Sequence, residues 1–169
     1  MDQALFSILL FAHVFGAIVT FGPSFVFPII ARQSQKMPQG GHFAAVLGET
    51  IERRIIIPGA IVQGITGIGL VIILSSRGVD LTSSAYRWLA IGIVLYLIAI
   101  GWAILVQSKL AERMVEITRG MSGPPPAGAP AGPPPELLET AAKLQRGGMI
   151  LTVLLVSIVF FMVVKPTLG

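Results

Sequence analysis

A chain of 169 residues that is 54% hydrophobic and only 12% charged, with a mean hydropathy of +0.84, lies far from a soluble domain; in such a domain about a quarter of the residues carry charge. The absence of cysteine excludes disulfides, thiol catalysis, iron–sulfur clusters and thiolate metal sites. The net charge of +4 comes without an aromatic-rich basic patch, so it is assigned to basic residues flanking membrane spans and not to nucleic-acid binding.

The apolar residues gather into four runs, about 4–31, 55–75, 85–107 and 148–165. Each is close to the ~20 residues that an α-helix needs to cross a hydrocarbon core. Period-2 alternation is absent, which excludes a membrane β-barrel. The fold predicted is all-α: a four-transmembrane-helix bundle forming a single integral membrane domain over 1–169. The first run does not read as a cleaved leader, because Asp2 is its only early charge and no small-residue cleavage site follows.

In the first span, Gly22 and Pro23 predict a kink near Phe21 to Ser24. Gly16, Thr20 and Ser24 form a small-residue stripe that lets a neighbouring helix approach closely. His42 to Arg54 reads as an interfacial amphipathic helix before the second span. Phe43, Val46, Leu47 and Ile51 lie on one face; Glu49, Glu52 and Arg53 lie on the other, with Glu49 and Arg53 spaced for an i,i+4 pair. Pro58 marks the bend into the second span, where Gly59, Gln63 and Gly67 make another face suited to tight packing. A short loop follows, with Thr82 or Ser83 as a cap for the third span and Tyr86 and Trp88 at the level of an aromatic belt.

The third span is expected to continue past the membrane as Gln107 to Arg119. Residues 122–135 form a proline-rich linker that cannot be helical. Glu136 then starts a new helix whose stripe of Leu137, Leu138, Ala141 and Leu144 is expected to pack on Leu110, Met114 and Ile117. These two helices make a cytoplasmic helical hairpin extension. The connections that hold Arg32, Lys36, Arg53 and Arg54, and Lys109, Arg113, Arg119, Lys143 and Arg146, outweigh the other side, which has Arg77, Arg87 and Lys165. That bias places both termini outside and the long connections in the cytoplasm of a bacterial inner membrane.

His13 is the one histidine, carboxylate, lysine or arginine well inside any apolar run. Ionisable groups at membrane depth are costly and are kept for a reason. Counting ~1.5 Å per residue from the outer ends puts His13, Thr66, Tyr96 and Ser157 near one level, with Gln63 a turn deeper. Such groups face the bundle interior, which implies a polar layer near the midplane. Two readings of that layer stand. In the commoner one, His13 bonds Tyr96 or a hydroxyl and fixes helix register. In the other, His13 is an axial ligand to a b-type haem or similar porphyrin, with Gly16 and Ala17 leaving room for the macrocycle and Thr66 and Tyr96 beside it. A metal cage is not expected from a single imidazole, and no hydrolytic or phosphate-binding motif occurs.

The stretch FAHVFGAIVTFGPSFVFP, residues 11–28, resembles the opening of a group of small bacterial four-helix membrane proteins of unknown function. IPGAIVQGITGIGLVI, residues 57–72, looks like the Pro-Gly … Thr-Gly pattern of the same group. More distantly, the first span is similar to the HemJ-type membrane protoporphyrinogen oxidases and to CopD-like proteins. That resemblance implies haem binding at His13, although Ile29 and Thr20 stand where the oxidases have arginine and tryptophan. The function expected is a non-catalytic accessory or structural subunit of a larger membrane assembly, through partner subunits or self-association in the lipid bilayer. It would bind one porphyrin through His13 at most; the alternative is a haem-dependent membrane oxidoreductase.

Overall fold

The structure, a computed structural model, describes residues 2–37, 40–121 and 132–166. Most of the proline-rich linker, 122–131, therefore lies outside the described residues. Among the described residues the regular structure is all helical, with short turns between: α1 (Asp2–Phe21), α2 (Phe27–Ser34), α3 (Gly40–Ile51), α4 (Ile57–Ser76), α5 (Arg87–Trp102), α6 (Ser108–Arg119) and α7 (Pro135–Val164). Four helical stretches, Gln3–Ser34, Gly40–Ser76, Ser84–Arg119 and Pro135–Val164, are long and apolar enough to cross a membrane. The protein is a multi-pass, all-helical integral membrane protein.

The predicted kink is a short 3-10 turn, Gly22–Val26, with Pro23 in its first positions. Proline has no N–H to offer the preceding turn and crowds it, so the helix tightens there before α2 resumes. Two further adjustments are π turns, Glu52–Ile56 joining α3 to α4 and Ala103–Gln107 joining α5 to α6. The first precedes Pro58, and the widened turn takes up the proline without breaking the helix. Residues 40–76 therefore run as one helix, so the stretch expected to lie as a separate interfacial helix instead continues the second span and packs on α6.

Within the spans, α1 packs on α4 and α5 packs on α7. Beyond one end of the spans, α3, α6 and the first half of α7 project together as an extension. Arg53 pairs with Glu49 at 3.1 Å and with Glu112 across to α6, and Arg113 ties α6 to Glu136 of α7. These pairs are exposed, so each adds about 0–1 kcal/mol and serves alignment more than stability.

Two expected faces are turned. On α7, Leu138 and Ala141 are exposed, whereas Leu137, Thr140, Leu144 and Gly147 point inward. On α3, Phe43 is 70% exposed and Val46 is exposed, while Glu52, first residue of the π turn that follows, is only 8% exposed. Here the apolar face looks out and an acidic side chain looks in, as suits a helix whose surroundings are not simply water. At the opposite end, Thr82 and Ser83 do not cap α5. Thr82 donates its N–H at 2.9 Å and its hydroxyl at 2.6 Å to the Asp80 carboxylate, which holds that carboxyl below the usual range.

The α1–α4 seam is built from the two predicted small-residue stripes, one against the other. Each larger side chain faces a glycine: Thr20 meets Gly59, Gln63 meets Gly16, His13 meets Gly67 and Leu9 meets Gly69. A Cβ on Gly59 would collide with the buried Thr20 side chain. Gly59→Leu is therefore expected to destabilise the fold by about 1–3 kcal/mol. Thr20→Gly in the same chain should recover part of that loss. A denaturation series in detergent on both variants checks this, and additive effects of the two changes would count against the seam.

Candidate functional site

The polar layer forms where α1 meets α4, because lipid offers no water to a buried donor and each must find a partner within the protein. His13 Nδ1 lies 2.8 Å from Thr66 Oγ1. The Thr66 hydroxyl donates back to its own helix, at 3.0 Å to the Val62 carbonyl or 3.1 Å to that of Gln63. A hydroxyl has one proton, so with that proton on a carbonyl its oxygen accepts from His13 Nδ1–H. In that arrangement Nε2 is the lone-pair nitrogen, whereas a Thr66 hydroxyl turned to donate to Nδ1 puts the proton on Nε2; Nε2 has no hydrogen-bond partner among the described residues. The ring edge at Cε1 would meet a Cβ on Gly67 at 3.3 Å, so the glycine sets how close the imidazole sits to α4.

Gln63, 5% exposed, donates its amide to the His13 carbonyl at 2.8 Å. It fills the space beside Gly16, where a Cβ would lie 2.6 Å from Nε2 of Gln63. The room expected there for a flat macrocycle is thus occupied by the glutamine. Tyr96 belongs to a different contact: its hydroxyl donates to the Ala60 carbonyl at 2.9 Å, over Gly64, and so links α5 to α4. Ser157 donates to the Val153 carbonyl of its own helix. The structure brings His13, Gly16, Gln63 and Thr66 together, sets Tyr96 on a neighbouring side of α4 against Ala60 and Gly64, and leaves Ser157 outside the group.

A second polar cluster, at the extension end of the spans, escaped the sequence analysis. Gln107, 9% exposed, donates to the Leu144 carbonyl at 3.1 Å beside Gly147. This repeats the Gln63 arrangement: a glutamine reaches the carbonyl of residue i on the neighbouring helix, and a glycine at i+3 makes the space. Oε1 of Gln107 and Nε1 of Trp102 converge on Gly147, and with Oε1 of Glu52 they are buried without a partner among the described residues. Glu52 faces Ser108 and Ala111 across a small cavity that Glu49 and Arg53 also line. The Gly147–Gly148 pair and a lone glutamine at a span boundary were the available signals for Gln107. Glu52 had none, because the sequence placed it on the outward polar face.

His42 is held as His13 is, with Nδ1 3.1 Å from Thr118 Oγ1 and that hydroxyl 2.8 Å from the Met114 carbonyl. Among the described residues, no three histidine or acidic side chains group as a metal would require.

Thr66→Val keeps the shape of the layer and removes its hydroxyl. The variant should lose the Nδ1–H preference of His13 in 15N spectra of histidine-labelled protein and about 1 kcal/mol of stability. An unchanged tautomer in the variant would show that Thr66 does not orient the ring.

The family described as "predicted integral membrane protein (DUF2269)" matches residues 7–166. No curated protein and no solved structure matches the chain. The match takes in most of the first span and the whole of the other three, and the chain belongs to this family of integral membrane proteins, whose function is unknown.

Proposed function

We propose that the protein is a non-catalytic accessory subunit of a larger assembly in a bacterial cytoplasmic membrane, joined to its partners through its outward apolar faces. The observation that carries this reading is how the intramembrane polar groups are used. Thr66, Gln63 and Tyr96 all spend their hydrogen bonds on neighbouring helices or backbone, which holds helices in register. Interhelical bonds of this kind contribute roughly 0.6–2 kcal/mol each. The lysine and arginine bias supports an extension in the cytoplasm and both termini outside. Tagged protein solubilised from native membranes in mild detergent should migrate on a native gel well above its own mass, together with defined membrane partners or further copies. Migration as a monomer in several mild detergents would overturn the proposal.

A second reading has one specific observation in its favour. When His13 Nδ1–H donates to Thr66, 2.8 Å away, the ring presents Nε2, the arrangement in which a histidine ligates a metal while its other nitrogen is oriented by a hydrogen bond. A b-type haem or related porphyrin would be held by His13 Nε2, since Gln63 already fills the space beside Gly16. Bound there, the group would supply one-electron chemistry, as the resemblance to the HemJ-type oxidases implies, and His13 would hold it with Thr66 as the positioning residue. Protein purified from haem-replete cells should then show a Soret band that His13→Ala abolishes. A colourless wild type would dismiss this second reading and leave the first intact.

A further inference from the structure

At the end of the bundle opposite the extension, the two helix pairs part. Phe6 of α1, Leu74 of α4, Ala85 and Tyr86 of the turn before α5, Trp88 of α5 and Lys165 after α7 line a groove of about 320 Å³. That volume is within the ~300–1,000 Å³ of small-ligand sites. Its walls are apolar and aromatic, with Trp88 buried at the base and stacked at a tilt, 6.2 Å from Tyr86. Lys165 Nζ stands 5.4 Å from the centre of the Trp88 ring. Outside the lining, the Arg77 guanidinium lies 4.8 Å from the centre of the Phe6 ring and donates to Gln3 Oε1 at 3.3 Å. The lining includes no carboxylate, and none of the described acidic side chains forms an ion pair with Lys165.

Lys165 ends α7 with φ of 48°, the one described non-glycine residue on the left-handed side. A left-handed residue is a common way to end a helix, and here the Lys165 N–H bonds the Phe161 carbonyl just before Pro166. It stops the helix at the level where tyrosine and tryptophan mark the membrane boundary.

We propose that this groove is a binding site for one anionic phospholipid, whose phosphate rests on Lys165 and whose chain lies between Phe6, Leu74 and Trp88. An apolar slot open at the headgroup level fits an acyl chain, and the Lys165 ammonium held over the Trp88 ring, with no carboxylate in the lining, selects negative charge. A zwitterionic lipid brings its own cation to the same place and loses that selection. A free inorganic anion would gain only the rim and leave the slot unused.

Trp88 is the reporter. In the Trp102→Phe chain it is the sole tryptophan, and full-length protein is placed in nanodiscs holding a minor fraction of chain-brominated phosphatidylglycerol or phosphatidylcholine. Brominated phosphatidylglycerol should quench Trp88 more strongly than brominated phosphatidylcholine at the same mole fraction. Lys165→Ala should cut that preference about fivefold, the loss expected for one cation at a charged lipid surface. Ala85→Phe, which fills the slot, should reduce quenching by both lipids. Inorganic phosphate at millimolar concentration should not compete. Equal quenching by the two lipids in the parent chain, or a preference that persists in Lys165→Ala, would overturn the proposal, as would displacement by phosphate. Native mass spectrometry of the unsubstituted protein and of Lys165→Ala, released from mixed lipids, gives an independent readout: the parent should retain phosphatidylglycerol selectively, and equal retention of both lipids would overturn the site.

Discussion

A polar group that enters a bilayer must bring its partner with it, because hydrocarbon supplies none and each unpaired group costs several kcal/mol. The seam between α1 and α4 answers that constraint by alternation. Where one helix offers threonine, glutamine or histidine, the other offers glycine, so the axes come close enough for Gln63 to reach the His13 carbonyl and Thr66 to reach the His13 ring. Remove the glycines and the hydrogen bonds no longer span the gap; remove the polar groups and the glycines leave voids. Each depends on the other, and the position of the membrane-depth histidine follows from both.

The same solution recurs between the third and fourth spans at a different depth. Gln107 reaches the Leu144 carbonyl over Gly147, and Gly92 lies against Met162 nearer the other end. Two pairs of helices are thus each closed by a glutamine–carbonyl bond. Between the pairs, Tyr96 bonds the Ala60 carbonyl, and the closer joining takes place in the extension, where α3 packs on α6. The π turns sit where span passes into extension. An added residue in a turn rotates everything beyond it, which lets one continuous helix present one face to lipid-depth neighbours and another to the extension. Joined firmly at one end and lightly at the other, the pairs leave the groove lined by Trp88 and Lys165 between them.

Much of the seam was legible in the chain. The Gly16–Thr20 stripe and the Gly59–Gln63–Gly67 row announce close packing through residue size alone, and the proline at 23 announces a break through its missing donor. What could not be read was which hydroxyl His13 would choose. Depth counting put Thr66, Tyr96 and Ser157 at similar heights, but height says nothing of azimuth, and only Thr66 faces the ring. Gly16, read as room for a macrocycle, is the pocket of Gln63. The sequence alone does not distinguish an empty notch from one filled by the neighbouring helix.

Composition and hydropathy by themselves determined that this is a four-span helical membrane protein, because the length and polarity of each run are set against a bilayer of fixed thickness. The tertiary structure decided which side of each helix is inside. Glu52 was assigned outward and Leu138 inward on periodicity, and both are reversed. Periodicity identifies two faces of a helix by their contrast, but where one neighbour is lipid, another is protein and a third is water, contrast does not say which face is buried. That is settled by the helices that pack against it.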